Sequence, residues 1–176
     1  PGTYDLHVVN PSGEGVSLAS AFTVVAGLNK WNSTPMYGGK MISVFYNPLD
    51  ATTLYAASDA TGLFRSRDGG ATWSSLWAGS AESMAIDPLT PTRLYMHNQR
   101  STDEGVTWTN MNVPWGHPYP HPSIAGRVYM IYNDTSDQAG IWRSDNSGDS
   151  WTQINTGLTD TKVTALAFHP TEPETL

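Results

Sequence analysis

One eight-residue pattern occurs three times in fixed register and constrains the fold more than any other feature of the 176 residues. Ser66-Arg67-Asp68-Gly69-Gly70-Ala71-Thr72-Trp73 returns as Ser101-Thr102-Asp103-Glu104-Gly105-Val106-Thr107-Trp108 and again as Ser144-Asp145-Asn146-Ser147-Gly148-Asp149-Ser150-Trp151. A self-similar period of this size marks a repeat architecture. In each octet the acceptor at the third position (Asp68, Asp103, Asn146) can take backbone N–H groups just downstream. Gly70, Gly105 and Gly148 at the fifth supply positive φ at little cost. Trp73, Trp108 and Trp151 then open a strand and bring an apolar surface that contributes about 2 to 3 kcal/mol when buried. Ser66, Ser101 and Ser144 complete a hairpin turn locked by its own side chains.

A second element repeats independently. Asn47-Pro48 lies six residues before Leu54-Tyr55, Asp87-Pro88 six before Leu94-Tyr95, and His121-Pro122 six before Val128-Tyr129; His169-Pro170 stands six before Leu176. The Pro steps are 40, 34 and 48 residues. An apolar run, an x-Pro turn, a Leu-Tyr strand, an Arg-Ser strand, the octet and a Trp-led strand give four strands per unit, the period of propeller blades. The expected fold is all-β: a partial propeller of about three four-stranded blades plus the first strand of a fourth. A closed propeller of four to eight such blades needs more chain, so a fragment is expected.

The octet resembles the Asp-box, or BNR repeat, of sialidases, xyloglucan-specific endoglucanases, sortilin and many bacterial surface proteins. That resemblance implies a peripheral, structural role for the octet Asp and Asn. Residues 1–26 fall outside the period: Tyr4, Leu6 and Val8 alternate with polar neighbours, Asn10-Pro11-Ser12-Gly13 reads as a turn, and Val16 to Val25 returns as a strand. The wording Pro1-Gly2-Thr3-Tyr4-Asp5-Leu6 and Ala21-Phe22-Thr23-Val24-Val25 is similar to the last strands of an IPT/TIG immunoglobulin-like domain. Expected boundaries are 1–26 for that tail, 27–40 for a linker, 41–80, 81–112 and 113–159 for three blades, and 160–176 for the start of a fourth.

Composition narrows function by exclusion. With 9 Lys and Arg against 16 Asp and Glu, the net charge of -7 opposes phosphate backbones and anionic lipid, so nucleic acid is not an expected partner. No run reaches the ~18 apolar residues of a membrane span, and membrane insertion is not expected. Zero Cys removes disulfides, thiolate zinc sites and Cys nucleophiles. Few Lys and abundant Thr, Ser, Asn, Gly and Trp favour a secreted or cell-surface setting. No cofactor is required by any motif.

Three sets of residues are candidates for chemistry. Trp77, Trp115 and Tyr119 stand where one blade is expected to pass to the next, in or beside the Pro-rich stretch 114–122, and flat aromatic faces on stiff backbone suit stacking on sugar C–H surfaces. His117 and His121 are four apart, but Pro118, Pro120 and Pro122 forbid a helix, and a metal pair is disfavoured. Asn133, Asp134 and Asp137 carry oxygens but lack the Gly and terminal Glu of a calcium loop.

Asp59 is the carboxylate of interest. Leu54-Tyr55-Ala56-Ala57-Ser58-Asp59-Ala60-Thr61-Gly62 resembles the first-blade segment of xyloglucan-specific endoglucanases, which implies one of two catalytic Asp residues at 59; Ser58 and Ala60-Thr61-Gly62 depart from that pattern. Gly140-Ile141-Trp142-Arg143-Ser144 is similar to a later blade. Sialidase chemistry would require an Arg-Ile-Pro segment and an arginine cluster, and three of the six arginines (Arg65, Arg100, Arg143) instead precede an octet Ser. The leading expectation is a binding module for glycan or an extracellular protein surface, completed by further blades of the same polypeptide. The alternatives are part of a glycoside hydrolase and a structural spacer.

Overall fold

The computed structural model describes residues 40–176, together with the backbone of two earlier strands, β1 (Gly2–Val9) and β2 (Gly15–Val24). The chain divides into two units, Pro1–Thr34 and Pro35–Leu176. In the first, β1 and β2 pair antiparallel from Gly2↔Val24 to Val9↔Gly15, as the alternation predicts. The Asn10–Gly13 turn, residues 27–39 of the linker expected at 27–40 and the side chains of both strands lie outside the described residues.

The second unit is a partial β-propeller of three four-stranded antiparallel sheets, each ordered as the chain runs. The first blade holds β3 (Met41–Asn47), β4 (Asp50–Ser58), β5 (Leu63–Ser66) and β6 (Ser74–Trp77). The second holds β7 (Met84–Ile86), β8 (Leu94–Met96), β9 (Gln99–Ser101) and β10 (Thr109–Asn110). The third holds β11 (His117–Pro120), β12 (Val128–Tyr132), β13 (Gly140–Ser144) and β14 (Thr152–Gln153).

Period-two alternation on the second strand of each blade divides its side chains between two neighbours. Leu94 and Met96 join Tyr55, Ala57 and Leu63 in the core between blades one and two, whereas Tyr95 joins Val128 and Met130 in the core between blades two and three. The runs Leu-Tyr-Met and Val-Tyr-Met-Ile are continuously apolar because both faces are covered.

The two ends of the sheets are built differently. At one end lie the x-Pro turns and the octets. In the first octet Ser66 Oγ donates to Asp68 Oδ1 (2.7 Å) and accepts from Gly70 N (2.8 Å), Thr72 N donates to Asp68 Oδ1 (2.8 Å), and Trp73 Nε1 donates to the Gly70 carbonyl (3.0 Å). The second octet repeats these bonds at 2.7, 2.8, 2.8 and 2.9 Å, and the third at 2.8, 2.8, 2.9 and 3.1 Å with Asn146 replacing Asp. The fourth octet residue is also left-handed, at φ 69° for Gly69, 59° for Glu104 and 62° for Ser147, a requirement invisible in three unlike residues.

The second and third octets are also gripped by the blade before them. Arg65 donates to the Glu104 carbonyl (3.1 Å), and Arg100 to the Ser147 carbonyl (2.7 Å), so the Arg before one octet Ser holds the fourth residue of the next octet. Leu76 and Met111 pack on Gly105 and Gly148 from the same side. The residue before each repeated Pro caps its turn by accepting N–H bonds: Asn47 from Leu49, Asp87 from Leu89 and Thr90, His121 from Ser123 and Ile124, His169 from Thr171 and Glu172.

Residues 160–176 form no paired strand among the described residues. They carry the repeat's turn: His169 N donates to the Thr175 carbonyl as His121 N does to Arg127. Phe168 packs on His121 and Tyr129, and Arg127 ties Asp145 (2.6 Å) to Glu174 (2.7 Å).

Candidate functional site

The opposite end carries the hairpin loops 59–62, 97–98 and 133–139 and the connections between blades, and no two of these are alike. Asp59 starts the first. Its turn is tied by Ser58, whose hydroxyl accepts from Ala60 N (3.2 Å) and Thr61 N (3.1 Å), while Ser58 N donates to the Gly62 carbonyl (2.9 Å). Gly62, at φ 117°, is required there, because a Cβ would fall 1.8 Å from the Trp77 carbonyl oxygen. Ser58 therefore does the work of a turn residue. The Asp59 carboxylate is half-exposed and has no hydrogen bond to any described residue.

The structure separates the three aromatic candidates. Trp77 ends β6 and meets Trp108 edge to face (centroids 5.9 Å, 71°) in the joint between blades one and two, so it fills a gap. Tyr119 is on a strand and not in a loop: the Pro-rich stretch forms β11, with Tyr119 opposite Tyr129. Pro118 and Pro120 fit because β11 is an edge strand, paired only with β12, and can lack outward N–H groups. Trp115 alone presents an exposed ring, at 56% relative exposure.

Trp115 stands on the connection from blade two to blade three, whose backbone is fixed on both sides. Met111 N donates to the Asn98 carbonyl (2.9 Å), and Ser83 Oγ donates to the Gly116 carbonyl (3.1 Å). Gly116 cannot carry a side chain, since its Cβ would lie 2.3 Å from the Ile131 carbonyl oxygen. The indole stacks on His97 at 4.0 Å between centroids and 24° between planes. Together with Glu82, Gly116, His117, Tyr132 and Asn133 they line a cleft of about 220 Å³.

His97 is the anomaly of this site. It opens a two-residue hairpin turn at φ 51°, where Gly or Asn is usual, yet it is 4% exposed. Among the described residues neither ring nitrogen makes a well-aligned hydrogen bond, and only the Ser80 backbone pulls on the ring. Burial pushes the imidazole down to about 4, against an opposing pull from the Ser80 backbone and with a smaller lowering effect of His117, so the ring is neutral near pH 7. No local signal marks this residue, since His97-Asn98 looks like any polar turn.

The remaining candidates lie apart or are engaged. His117 borders the cleft, whereas His121 is buried at the far end of the same strand, its Nε2 donating to the Pro173 carbonyl (2.8 Å). Asp134 accepts from the Tyr132 hydroxyl (2.5 Å) and from Thr135 N (2.7 Å), which holds its carboxyl below the usual range. Asn133 borders the cleft. Asp137 contributes its backbone carbonyl to Gln153. The octet residues all lie at the other end.

No family model matches the chain. In sequence it is similar to the xyloglucanase Xgh74A of Acetivibrio thermocellus, 28% identical over 159 residues, covering 71% of this chain and 19% of that protein. A xyloglucanase of Paenibacillus sp is 26% identical over 149 residues, covering 66% of this chain and 14% of that protein. The chain thus spans less than a fifth of either relative. The fold matches an ancestral GH74 enzyme with a TM-score of 0.53 at 18% identity, over 65% of this chain and 18% of that one. It matches the GH74 xyloglucanase from Xanthomonas campestris with a TM-score of 0.50 at 24% identity, over 66% of this chain and 21% of that one.

Proposed function

We propose that these blades are part of a secreted glycoside hydrolase of the xyloglucanase kind, acting on a β-glucan at the end of the sheets that carries Asp59. The sequence relatives favour this reading over the binding module expected from the sequence alone. The observation that carries it is the state of Asp59. In a segment resembling the catalytic one of xyloglucan-specific endoglucanases, the turn is capped by Ser58, and the carboxylate is left free of hydrogen bonds to described residues.

Paired acid and base hydrolysis needs a second carboxylate, about 6.5 to 9.5 Å away for an inverting reaction. On this reading it comes from further blades of the same polypeptide. The octets are read as Asp-boxes that hold the scaffold, and residues 1–26 as the tail of an IPT/TIG domain. Trp115 is read as a glycan contact within the same enzyme.

The test is hydrolysis of xyloglucan by the full-length polypeptide that carries these blades. Asp59→Asn is expected to lower kcat at least a hundredfold with folding unchanged. Undiminished turnover in that variant would remove Asp59 from the chemistry.

A further inference from the structure

We propose that Trp115 and the polar rim of its cleft form a subsite for one uncharged sugar ring, and that His97 is the positioning residue that sets the plane of the indole. The proposal takes from the reading above only that the ligand is a glycan, and it does not require hydrolysis.

Among the described tryptophans, Trp73, Trp77, Trp108, Trp142 and Trp151 are partly buried; Trp115 alone is exposed. His97 backs one face of its indole, which leaves the rest of the ring for a partner. A sugar presents an apolar C–H face to such a ring and hydroxyls at its edge. The rim supplies matching groups: the Glu82 carboxylate accepts, the Asn133 amide donates and accepts, and His117 adds a ring nitrogen. No Lys or Arg is among the described residues lining the cleft, so none of them would pair with an anionic ligand. Asp59 is not among the walls, and the subsite is therefore a binding element separate from that carboxylate.

His97 bears two costs: a left-handed backbone on a non-glycine residue and a buried ring whose nitrogens make no well-aligned hydrogen bond to a described residue. What its ring does is lie flat beneath Trp115. The backbone holds it there. His97 N donates to the Ser83 carbonyl (3.0 Å), and the Ser83 hydroxyl donates to the Gly116 carbonyl, so one buried serine clips the His97 turn to the connection bearing Trp115. An aromatic surface fixed in advance loses little freedom on binding.

The test is titration of the protein with a xyloglucan oligosaccharide and with cellotetraose, read by tryptophan fluorescence and calorimetry. Trp115→Ala is expected to weaken binding at least about tenfold, and Trp77→Ala to leave it unchanged. His97→Gly suits φ 51°, keeps the turn and removes the supporting plane; it is expected to weaken binding about tenfold with an unfolding midpoint close to wild type. His97→Asn tolerates the same φ, restores a planar group, and is expected to recover binding to within about threefold. Wild-type affinity in Trp115→Ala would overturn the subsite, as would displacement of the sugar by choline. Wild-type affinity in His97→Gly would overturn the positioning role. Loss of these effects with Asp59-dependent hydrolysis intact would sink this proposal alone; silent Asp59 with these effects intact would sink the hydrolase reading alone.

Discussion

At the octet end of the blades the same bonds are made three times, whereas at the opposite end each loop and connection is made once. The four octet bonds described above differ by at most 0.2 Å between copies, although Asn replaces Asp in the third. At the other end, one loop leaves a carboxylate without a hydrogen bond to any described residue, a second buries a histidine ring whose nitrogens make no well-aligned bond among the described residues, and a third ties a tyrosine to Asp134. Repetition with satisfied polar groups is the mark of a scaffold. Unrepeated strain and unpaired groups are where binding and chemistry are to be sought.

The comparison breaks first if the octets are not interchangeable. Ser66, Ser101 and Ser144 are all about 1% exposed, and each accepts a glycine N–H, buried at Gly105 and Gly148 and partly buried at Gly70. Replacing any one with Ala is expected to cost about 2 kcal/mol, with the three values within about 0.5 of each other by denaturant unfolding. A single octet dominating would mean that the copies are not equivalent.

The joints between blades are the next largest effect. Arg65→Met and Arg100→Met are each expected to cost about 1 kcal/mol: both lose the bond to the next octet's carbonyl, and Arg65 also loses its partly buried pair with Glu104, whereas Asp149, the ionic partner of Arg100, is 64% exposed and screened. Arg143 makes its ion pair only to Asp145 among described residues, and Arg143→Met is expected to be near neutral. An equal cost at all three would contradict the idea that these arginines act across blades.

Acid sharpens the same comparison. Hydrogen bonds from Thr72 hold the Asp68 carboxyl at about 2, and those from Thr107 do the same for Asp103, against an ordinary 3.8. A depressed carboxyl stabilises the fold above the ordinary value, and that contribution fades as pH falls from about 4 towards 2. Asn146 has no such proton to gain. Amide exchange at Thr72 and Thr107 is expected to quicken over that range relative to Ser150. Uniform behaviour of all three amides would count against it.

Much of the octet end was legible in the sequence, because its determinants are local. Octet, x-Pro turn and Leu-Tyr strand each lie within a few residues and recur in register. Their partners were less so. Arg65 was readable as part of the repeat, but its target Glu104 lies 39 residues away, a distance that only the stacking of blades closes. The acceptor before each Pro could have been found, since Asn47, Asp87, His121 and His169 all carry one. At the other end Trp77 and Trp115 looked equivalent. Strand register sends one into a joint and connection geometry leaves the other exposed. Tyr119 stands in a Pro-rich stretch that reads as a connection between blades, yet that stretch forms an edge strand, which tolerates proline. His97 depends on a backbone angle and a stacking partner 18 residues on, neither of which its immediate sequence shows.

The most direct measurement is a map of backbone amide shifts on adding a xyloglucan oligosaccharide. The account expects the perturbed residues to gather at 59–62, 80–83, 97–98, 112–117 and 132–134, with the three octets and the x-Pro turns silent. Shifts centred on Asp68, Asp103 and Asn146, with Trp115 and Asp59 unmoved, would contradict it.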